Sequence, residues 1–331
     1  MVKKVKILST GSYLPPKVLT NFDLEKIVDT SDEWITTRTG IKERRIAEEN
    51  VATSDLAVEA AKNCLEKINF STEDIDTIIV ATITPDMFFP STACVVHKKL
   101  GSKNEPIAFD ISAACSGFVY GLAIAESLLK LGKSKNLLLI AADTLSKFTN
   151  WKDRNTCVLF GDGAGAMLLT SVEDEKEEDA VVSTYMGANG NYGELLYVPA
   201  GGSKMPASIE TVEKNLHTIF MSGKEVFKVA VTKMVEAAFK ACELANISPQ
   251  QIDLLIPHQA NLRIINAVGE RLGLEKEKIF VNVDKYGNMS ASTVIVGLDE
   301  AISLGKVKKG SIVELVAFGG GFTWASAILK L

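Results

Sequence analysis

Two stretches of this sequence align without a gap, "EAAKNCLEKINFSTEDIDTIIV" (59–80) and "EAAFKACELANISPQQIDLLIP" (236–257), at an offset of 177 residues. The alignment matches Asn69 with Asn246 and Asp76 with Asp253. Each copy predicts a helix, then a serine that starts a turn, then an Ile-Asp pair that leads into a buried strand. The simplest interpretation is two copies of one α/β unit, with an active site at the interface between them.

The rest of the chain agrees with this α/β pattern. Short β-branched runs such as "TIIVATIT" (77–84) and "NLLLIAAD" (136–143) alternate with longer helical patterns. The segment "SVEDEKEEDA" (171–180) is almost wholly charged and lies near the middle of the chain, so it predicts a solvated loop. We therefore expect a first half over residues 1–172 and a second half over 173–331.

Composition excludes several classes of protein. The chain has 331 residues, of which 47% are hydrophobic and 23% charged, and this predicts a globular protein with a large core. A net charge of −5 argues against nucleic acid as a partner. The five cysteines are scattered without metal-ligand spacing, and no apolar run approaches the roughly 20 residues of a membrane span. We expect a cytoplasmic protein without a metal, a membrane or a nucleic acid as partner.

A candidate nucleophile, Cys115, lies in "AFDISAACSGFVYGL" (108–122), where a predicted strand becomes a predicted buried helix. At the N-terminus of a helix, the dipole and the free N–H groups favour an anion, so we expect a lowered thiol pKa. Small neighbouring residues would let a substrate carbonyl approach. The alternative is a buried structural cysteine, which is the commoner situation for a free thiol.

Candidates for the partner of this thiol are few, because the chain has three histidines. His97 stands beside two lysines on an amphipathic pattern and is expected at the surface, and His217 has no clear context. His258, in "LLIPHQANLRII", directly follows a buried strand, at the end where open α/β sheets place their ligands. Asn288, in "VDKYGNMSAST", occupies a similar junction in the second half, although Gly-Asn is also a common turn.

Four motifs, in this order and spacing, closely resemble those of the β-ketoacyl-acyl carrier protein synthase III family of condensing enzymes. They are "DISAACSGF" (110–118), "PHQANLRII" (257–265), "YGNMSAS" (286–292) and "AFGGGFTWAS" (317–326). The resemblance implies the thiolase fold, in which two pseudo-symmetric α/β halves form a layered α-β-α-β-α core. It also implies a catalytic Cys115, His258 and Asn288, with an oxyanion hole made by the N–H groups of Cys115 and Gly320.

The resemblance further implies a decarboxylative Claisen condensation that initiates type II fatty acid biosynthesis. Cys115 would take the acyl group of an acyl-CoA primer, with acetyl-CoA expected, and malonyl-acyl carrier protein would then enter. His258 and Asn288 would hydrogen-bond the enolate that forms as carbon dioxide is lost, and its carbon would attack the acyl-cysteine. Donors rather than a strong base suit this step, and no cofactor is expected.

Substrate contacts also follow from the resemblance. Trp34, Arg38 and Arg154 would surround the adenine and phosphates of CoA, and Asn261 and Arg263 would line the pantetheine tunnel and its mouth. Without the resemblance, Trp34 would be interpreted as core and the arginines as surface charges.

Arg263 is also a candidate contact for the acidic acyl carrier protein. Phe89 would reach across a homodimer interface into the partner's acyl pocket, where primer choice would depend on Phe89 and Phe160. Two departures from the family pattern, Ser116 and Ala325, put primer choice in doubt rather than the reaction.

Three rival functions remain open at this point. A relative of the same fold could keep the cysteine and serve specialised metabolism, which the Asn288 match and "PHQANLR" do not exclude. A Cys-His hydrolase would leave Trp34 and Arg38 without a role. A non-catalytic binding protein would not need the complete set of Cys115, His258 and Asn288.

Overall fold

The computed structural model describes residues 3–174 and 176–331. The strands of these residues are, in chain order, β1 (Lys4–Tyr13), β2 (Val18–Thr20), β3 (Glu43–Arg45), β4 (Thr77–Ala81), β5 (Ile107–Ile111), β6 (Asn136–Thr144), β7 (Asp162–Val172), β8 (Val181–Ala188), β9 (Leu196–Tyr197), β10 (Phe220–Met221), β11 (Leu254–Pro257), β12 (Ile312–Gly319) and β13 (Thr323–Lys330). The helices are α1 (Asn21–Leu24), α2 (Asp32–Thr39), α3 (Thr53–Glu66), α4 (Thr92–Leu100), α5 (Gly117–Lys130), α6 (Arg154–Cys157), α7 (Ile209–Glu213), α8 (Gly223–Leu244), α9 (Leu262–Arg271), α10 (Val283–Tyr286) and α11 (Ser292–Ser303).

The two main sheets repeat one topology. The first has the order β1-β7-β6-β4-β5 and the second the order β11-β12-β13-β8, so β4-β6-β7-β1 corresponds to β11-β12-β13-β8. In both sheets the first of these pairs is parallel and the next two are antiparallel. The fifth strand, β5, has only an isolated parallel bridge between Leu255 and Ile279 as its counterpart. The expectation of two pseudo-symmetric halves is therefore confirmed.

Two helices, α5 and α11, lie between the sheets. The largest core cluster joins their apolar side chains to those of both sheets, including Phe118 of α5, Ile295 of α11, Ile79 of β4 and Leu315 of β12. On the outer faces, α3 and α4 cover the first sheet, whereas α8 and α9 cover the second. This arrangement gives the layers α-β-α-β-α that the family resemblance implies.

The repeat extends to the ends of α3 and α8. Asn69 and Asn246 adopt left-handed backbone conformations, with φ of 52° and 55°. Each is followed by a residue whose N–H bonds back into its helix, Phe70 to the carbonyl of Leu65 and Ile247 to that of Cys242. Asparagine tolerates this conformation better than most residues do, which explains why both copies keep it.

The charged segment 171–180 begins in the last two residues of β7 and continues as the connection to β8. Glu175 lies outside the described residues. Asp179 accepts a hydrogen bond from the backbone N–H of Val5, so this connection is tied to the edge strand β1. Each main sheet lies on one side of the expected boundary, and the division at 172 and 173 stays a prediction. Across the described chain, every helix is too short or too polar to cross a membrane.

Candidate active site

Cys115 lies in a tight turn between β5 and α5. Residues Ala114–Ser116 form a single 3₁₀ turn directly before α5, and Ala114 has a left-handed φ of 46°. The Cys115 side chain is 8% exposed and lines a cavity of about 490 Å³. The strand-to-helix junction that the sequence predicts at this cysteine is confirmed.

The pKa of Cys115 shifts in the direction opposite to our expectation. Burial raises the pKa of the thiol to about 12, with a smaller opposing contribution from the nearby hydroxyl of Ser290. The prediction of a lowered pKa at the helix N-terminus is therefore wrong for the resting protein, because desolvation disfavours the thiolate more than the local donors favour it. A reactive thiolate then requires a base that takes the proton as the sulfur attacks.

His258 directly follows β11 and lines the same cavity. Its backbone N–H donates to the carbonyl of Val316 at 2.7 Å, and its ring Nδ1 lies 2.6 Å from Oγ1 of Thr293. The side chain is 3% exposed, and burial lowers the pKa of the ring to about 3. The imidazole is therefore neutral in the resting protein near neutral pH.

The other two histidines stay away from this cavity. His97 is half-buried on α4, which is less exposed than expected for a surface residue. His217 contacts the hydroxyl of Thr211 through Nε2 at 2.9 Å. Neither is among the residues that line the cavity of Cys115.

Asn288 reaches the cavity from the loop before α11. Its backbone is paired with the strand-like segment around Phe160, because its N–H donates to the carbonyl of Leu159 at 2.9 Å and its carbonyl accepts from Gly161 at 3.0 Å. Its side-chain Oδ1 accepts from the N–H of Ser290 at 2.9 Å. The amide Nδ2 is thus the end left to donate to a ligand.

The glycines after β12 bring a second backbone segment against Cys115. A Cβ on Gly319 would lie 2.5 Å from the backbone nitrogen of Cys115, so only glycine permits this approach. Gly320 lines the cavity with Cys115, and the hydroxyl of Thr323 donates to the carbonyl of Ala113 at 2.8 Å. The segment proposed for the oxyanion hole is therefore held beside the nucleophile turn.

Three of the predicted CoA residues, Trp34, Arg38 and Arg154, form one cluster at the surface. The guanidinium groups of Arg38 and Arg154 lie 4.7 and 5.0 Å from the ring centroid of the half-buried Trp34. Asn261 caps α9, lines the cavity, and donates through Nδ2 to the backbone carbonyl of Arg38 at 3.1 Å. One hydrogen bond thus links the cavity to the cluster of Trp34, Arg38 and Arg154.

The remaining predicted contacts lie further apart. Arg263 is exposed on α9, and its guanidinium lies 5.6 Å from the ring of Phe227, which lines the cavity. Phe160 is 5% exposed and lines the cavity, whereas Phe89 is 85% exposed and does not. Of the two predicted acyl-pocket residues, the chain itself brings only Phe160 to the site.

Sequence reasoning missed a buried carboxylate beside the site. Asp143, the penultimate residue of β6, is fully buried, and its Oδ1 accepts hydrogen bonds from Thr82, Ile83 and Thr84 at 2.9 to 3.0 Å. These bonds also explain why β4 ends at Ala81, before the end of the predicted run. Among the described residues, Oδ2 has no hydrogen-bond partner, and burial raises the pKa of Asp143 to about 6.

Two hydroxyl residues were missed as well. The Ser290 hydroxyl is buried near both Cys115 and Asp143, and it offsets part of their pKa shifts without a well-formed hydrogen bond to either. Thr293 contacts the ring of His258. The run of hydroxyl residues in "NMSAST" and the aspartate that ends "LLLIAAD" were the available signals. Among the described residues, no group of His, Cys, Asp and Glu side chains is arranged to hold a metal ion.

Comparison with known proteins identifies the family. The model of 3-oxoacyl-[acyl-carrier-protein (ACP)] synthase III matches residues 109–190, and the model of its C-terminal part matches residues 242–331. A β-ketoacyl-[acyl-carrier-protein] synthase III of Caldanaerobacter subterraneus is 61% identical over 98% of this chain and 97% of its own. The chain belongs to the β-ketoacyl-acyl carrier protein synthase III family.

Two solved structures show the same architecture. The crystal structure of the 3-oxoacyl-[acyl-carrier-protein] synthase III of Aquifex aeolicus superposes with a TM-score of 0.90 at 52% identity, covering 99% of this chain and 100% of that one. A priming β-ketosynthase of a polyketide biosynthetic pathway gives a TM-score of 0.91 at 31% identity, covering 100% and 97%. The fold of this synthase III family member is thus the thiolase fold.

Proposed function

We propose that this protein is a β-ketoacyl-acyl carrier protein synthase III that joins an acyl-CoA primer to malonyl-acyl carrier protein and so initiates type II fatty acid biosynthesis. The observation that carries the proposal is the convergence of Cys115, His258 and Asn288 on one cavity. They come from both halves of the repeat, which meet only in the folded chain.

In the first half-reaction, Cys115 attacks the thioester carbonyl of the primer. Its proton moves to the ring of His258 and then to the sulfur of CoA, so that an acyl-cysteine and free CoA result. The N–H groups of Cys115 and Gly320 receive the developing oxyanion. Because a thioester is exchanged for a thioester, the step is nearly balanced in energy.

In the second half-reaction, malonyl-acyl carrier protein occupies the space that CoA left. Nδ2 of Asn288 and Nε2 of His258, when it carries a proton, hydrogen-bond the thioester oxygen as carbon dioxide leaves. The resulting enolate carbon attacks the acyl-cysteine and breaks its C–S bond, which gives β-ketoacyl-acyl carrier protein and the Cys115 thiolate. The thiolate takes up one proton from solvent to regenerate the thiol. A neutral histidine that carries its proton on Nε2 adds a second hydrogen-bond donor to that of Asn288 without acting as a strong base.

Trp34, Arg38 and Arg154 are proposed to bind the adenine and phosphates of CoA. An indole offers a stacking surface, and the two guanidinium groups at its ring offer phosphate partners. Asn261 is proposed to contact the pantetheine, since it lies both on the cavity and beside the cluster.

Arg263 is proposed as a contact for the acyl carrier protein, because it is exposed on the helix that Asn261 caps. Phe160 and a partner subunit's copy of Phe89 are proposed to shape the acyl pocket. A homodimer is supported by the exposure of Phe88 and Phe89, at 84% and 85%, which is unusual for adjacent aromatic side chains. We further propose that the enzyme works in the cytoplasm and without a cofactor.

A second candidate function is the priming of a specialised-metabolite pathway. The polyketide priming enzyme shares the fold at 31% identity, so the fold alone does not separate the two roles. The higher identity to synthase III relatives favours fatty acid initiation.

The direct test offers the purified protein malonyl-acyl carrier protein and a panel of acyl-CoA primers, acetyl, isobutyryl and octanoyl. Formation of a β-ketoacyl-acyl carrier protein two carbons longer than the primer supports the proposal. Release of free acid without condensation would instead favour a hydrolase.

Two variants separate the proposed binding sites. Arg38→Ala should raise the KM for acyl-CoA and leave that for malonyl-acyl carrier protein nearly unchanged. Arg263→Ala should raise the KM for the carrier protein. Arg271→Ala, an exposed change at the other end of α9, is the matched control.

A further inference from the structure

Arg44, the middle residue of β3, is fully buried and lies outside the cavity of Cys115. Its Nη1 donates to Oδ1 of Asn21 at 2.8 Å, and its Nη2 donates to the backbone carbonyl of Val158 at 2.6 Å. Burial lowers the pKa of the guanidinium to about 10, so the group is still charged near neutral pH. Within the described chain, the oxygen atoms that accept from it, including the carbonyl of Leu19 at 3.3 Å, are all uncharged. A buried charge on uncharged partners is costly, so stability alone does not explain this arginine.

The carbonyl that Arg44 holds begins the short segment on which the backbone of Asn288 is paired. Val158 directly precedes Leu159, whose carbonyl accepts from the N–H of Asn288 at 2.9 Å. The N–H of Gly161 donates to the carbonyl of Asn288 at 3.0 Å. Two backbone bonds therefore join this segment to Asn288, and a shift of Val158 would move both.

The stem of Arg44 packs beneath the two glycines that flank this pairing. A Cβ on Gly161 would lie 3.1 Å from the Cβ of Arg44, and a Cβ on Gly287 would lie 3.2 Å from it. The same Cβ on Gly287 would lie 2.8 Å from the carbonyl oxygen of Leu159. Arg44 thus supports the pairing of Asn288 with its stem as well as with its guanidinium.

The other side of the guanidinium is fixed by Asn21, the first residue of α1. Nδ2 of Asn21 donates to Oδ1 of Asp32 in α2 and to the carbonyl of Ile41, both at 2.8 Å. Asn21 and Ile41 are fully buried, so water does not compete for the bond between them. Arg44 therefore ties the Asn288 segment to the same helix α2 that carries Trp34.

We infer that Arg44 is a positioning residue that keeps the amide of Asn288 in place in the cavity by fixing the segment on which Asn288 is paired. A planar guanidinium can bond two acceptors in fixed directions, and the single ammonium of a lysine cannot reproduce this. The kinetic part of the inference rests on the proposed function, in which Asn288 serves condensation. Loss of Arg44 should then slow condensation and spare the acylation of Cys115.

The first test measures backbone hydrogen exchange by mass spectrometry and needs no substrate. In Arg44→Lys, peptides that contain Gly161 and Asn288 should exchange at least about 10-fold faster than in wild type, because their pairing has lost its support. Peptides from β11 and β13 should exchange as in wild type. Unchanged exchange at Gly161 and Asn288, or faster exchange along the whole chain, would overturn the inference.

The second test combines the half-reactions with a double-mutant cycle. Arg44→Lys should slow condensation at least about 10-fold and acylation of Cys115 less than about 3-fold, since a small misplacement of a catalytic group costs up to about 100-fold. In an Asn288→Ala background, Arg44→Lys should slow condensation by less than about 2-fold more, because the group that it positions is already absent. Equal losses in both half-reactions, or a loss that multiplies with Asn288→Ala, would show a merely structural role and contradict the inference.

The matched control is Ser183→Ala, which removes another buried hydrogen bond, to the carbonyl of Ala241 at 2.7 Å, outside the cavity. It should change neither half-reaction. If Arg44→Lys does not fold, Arg44→Met replaces it in both tests, since it keeps the length of the side chain without the buried charge. Failure of both variants to fold would show that the fold itself requires Arg44, and it would overturn the inference.

The two tests also separate this inference from the proposed function. If exchange at Gly161 and Asn288 rises as expected but wild type forms no β-keto product with any primer, the positioning role stands and the condensing function fails. If wild type condenses and Arg44→Lys condenses at the same rate, the function stands and the inference fails.

Discussion

The turn before α5 and the turn before α11 have the same backbone feature and carry different chemistry. In each, a non-glycine residue adopts a left-handed conformation shortly before the helix begins, Ala114 three residues before α5 with φ of 46° and Ser290 two residues before α11 with φ of 52°. Such a residue costs roughly 1–2 kcal/mol each time. The first turn presents the thiol of Cys115, and the second presents the amide of Asn288.

The two turns of the duplicated fold have different roles, because one holds a buried nucleophile and the other holds hydrogen-bonding groups. Each half supplies one helix to the middle layer, so both turns open on the same cavity between the halves. The first turn is desolvated, which raises the pKa of its thiol, and the second supplies uncharged donors and acceptors. We interpret the nucleophile as dependent on groups from the opposite half.

The largest expected effect comes from the second turn. Asn288→Ala should lower condensation with malonyl-acyl carrier protein about 10²–10³-fold, because it removes a preorganised donor to the enolate oxygen. Acylation of Cys115 should change by less than about 3-fold. Single-turnover assays of each half-reaction check this, with the exposed Asn266→Ala as control. Equal losses of rate in both half-reactions would contradict the claim that Asn288 serves condensation rather than acylation.

Gly319, in the second half, packs against the turn that carries Cys115, so Gly319→Ala should disturb that turn. The added Cβ would meet the backbone nitrogen of Cys115 at 2.5 Å, where no flexible side chain can move aside. We expect a loss of about 3 kcal/mol in the free energy of unfolding by urea and a matching loss of acylation. Gly202→Ala, which meets nothing within 4 Å, is the control. An unchanged midpoint would show that the turn can shift freely.

A buried glutamate in the second sheet makes the stability of the protein depend on pH. Glu314 of β12 pairs with Leu255, as Leu138 of β6 pairs with Ile78, so a carboxyl occupies the place of a leucine. Burial raises the pKa of Glu314 from 4.5 to about 7. The folded protein therefore keeps this proton between pH 4.5 and 7 while the unfolded chain releases it, and stability falls as the pH rises through that range.

Replacement of Glu314 should remove its contribution to the pH dependence of stability. Glu314→Gln should exceed wild type in unfolding free energy by up to about 3 kcal/mol above pH 7 and match it below pH 4.5. Urea denaturation across this range measures the difference, with the exposed Glu277→Gln as control for the loss of one charge. A difference that does not vary with pH would contradict the assigned shift.

The smallest effect tests the repeat itself. Asn69→Ala and Asn246→Ala should each destabilise the protein by about 1 kcal/mol. Both positions have a left-handed backbone, which alanine adopts less readily than asparagine does. The two losses should agree closely, because the helix ends share the same hydrogen bonds. Strongly unequal losses in thermal unfolding would show that the two copies no longer share one local structure.

Much of the fold could be predicted from the sequence because the repeat and its strand patterns are local. The gap-free match over 59–80 and 236–257 fixes a helix and a strand in each half, and the layers follow from burying both copies. The position of Cys115 at a strand-to-helix junction was predictable for the same reason.

The rest depends on contacts between residues that are distant in sequence. The pKa of Cys115 follows from burial by the opposite half, and helix position alone gave the wrong direction. The contact of Thr293 with His258 spans 35 residues. Asp143 and Thr82 meet across 61 residues. The spacing of residues in the sequence does not predict contacts between side chains so far apart in the chain.

The central claim is that the buried thiol of Cys115 carries the acyl group. The measurement is the intact mass of wild type and Cys115→Ser after incubation with acetyl-, isobutyryl- and octanoyl-CoA, followed by peptide mapping. We expect one acyl adduct per chain on Cys115 of wild type, which malonyl-acyl carrier protein discharges into a β-keto product, and no adduct on the variant. An adduct on the exposed Cys94, or none with any primer, would contradict the account.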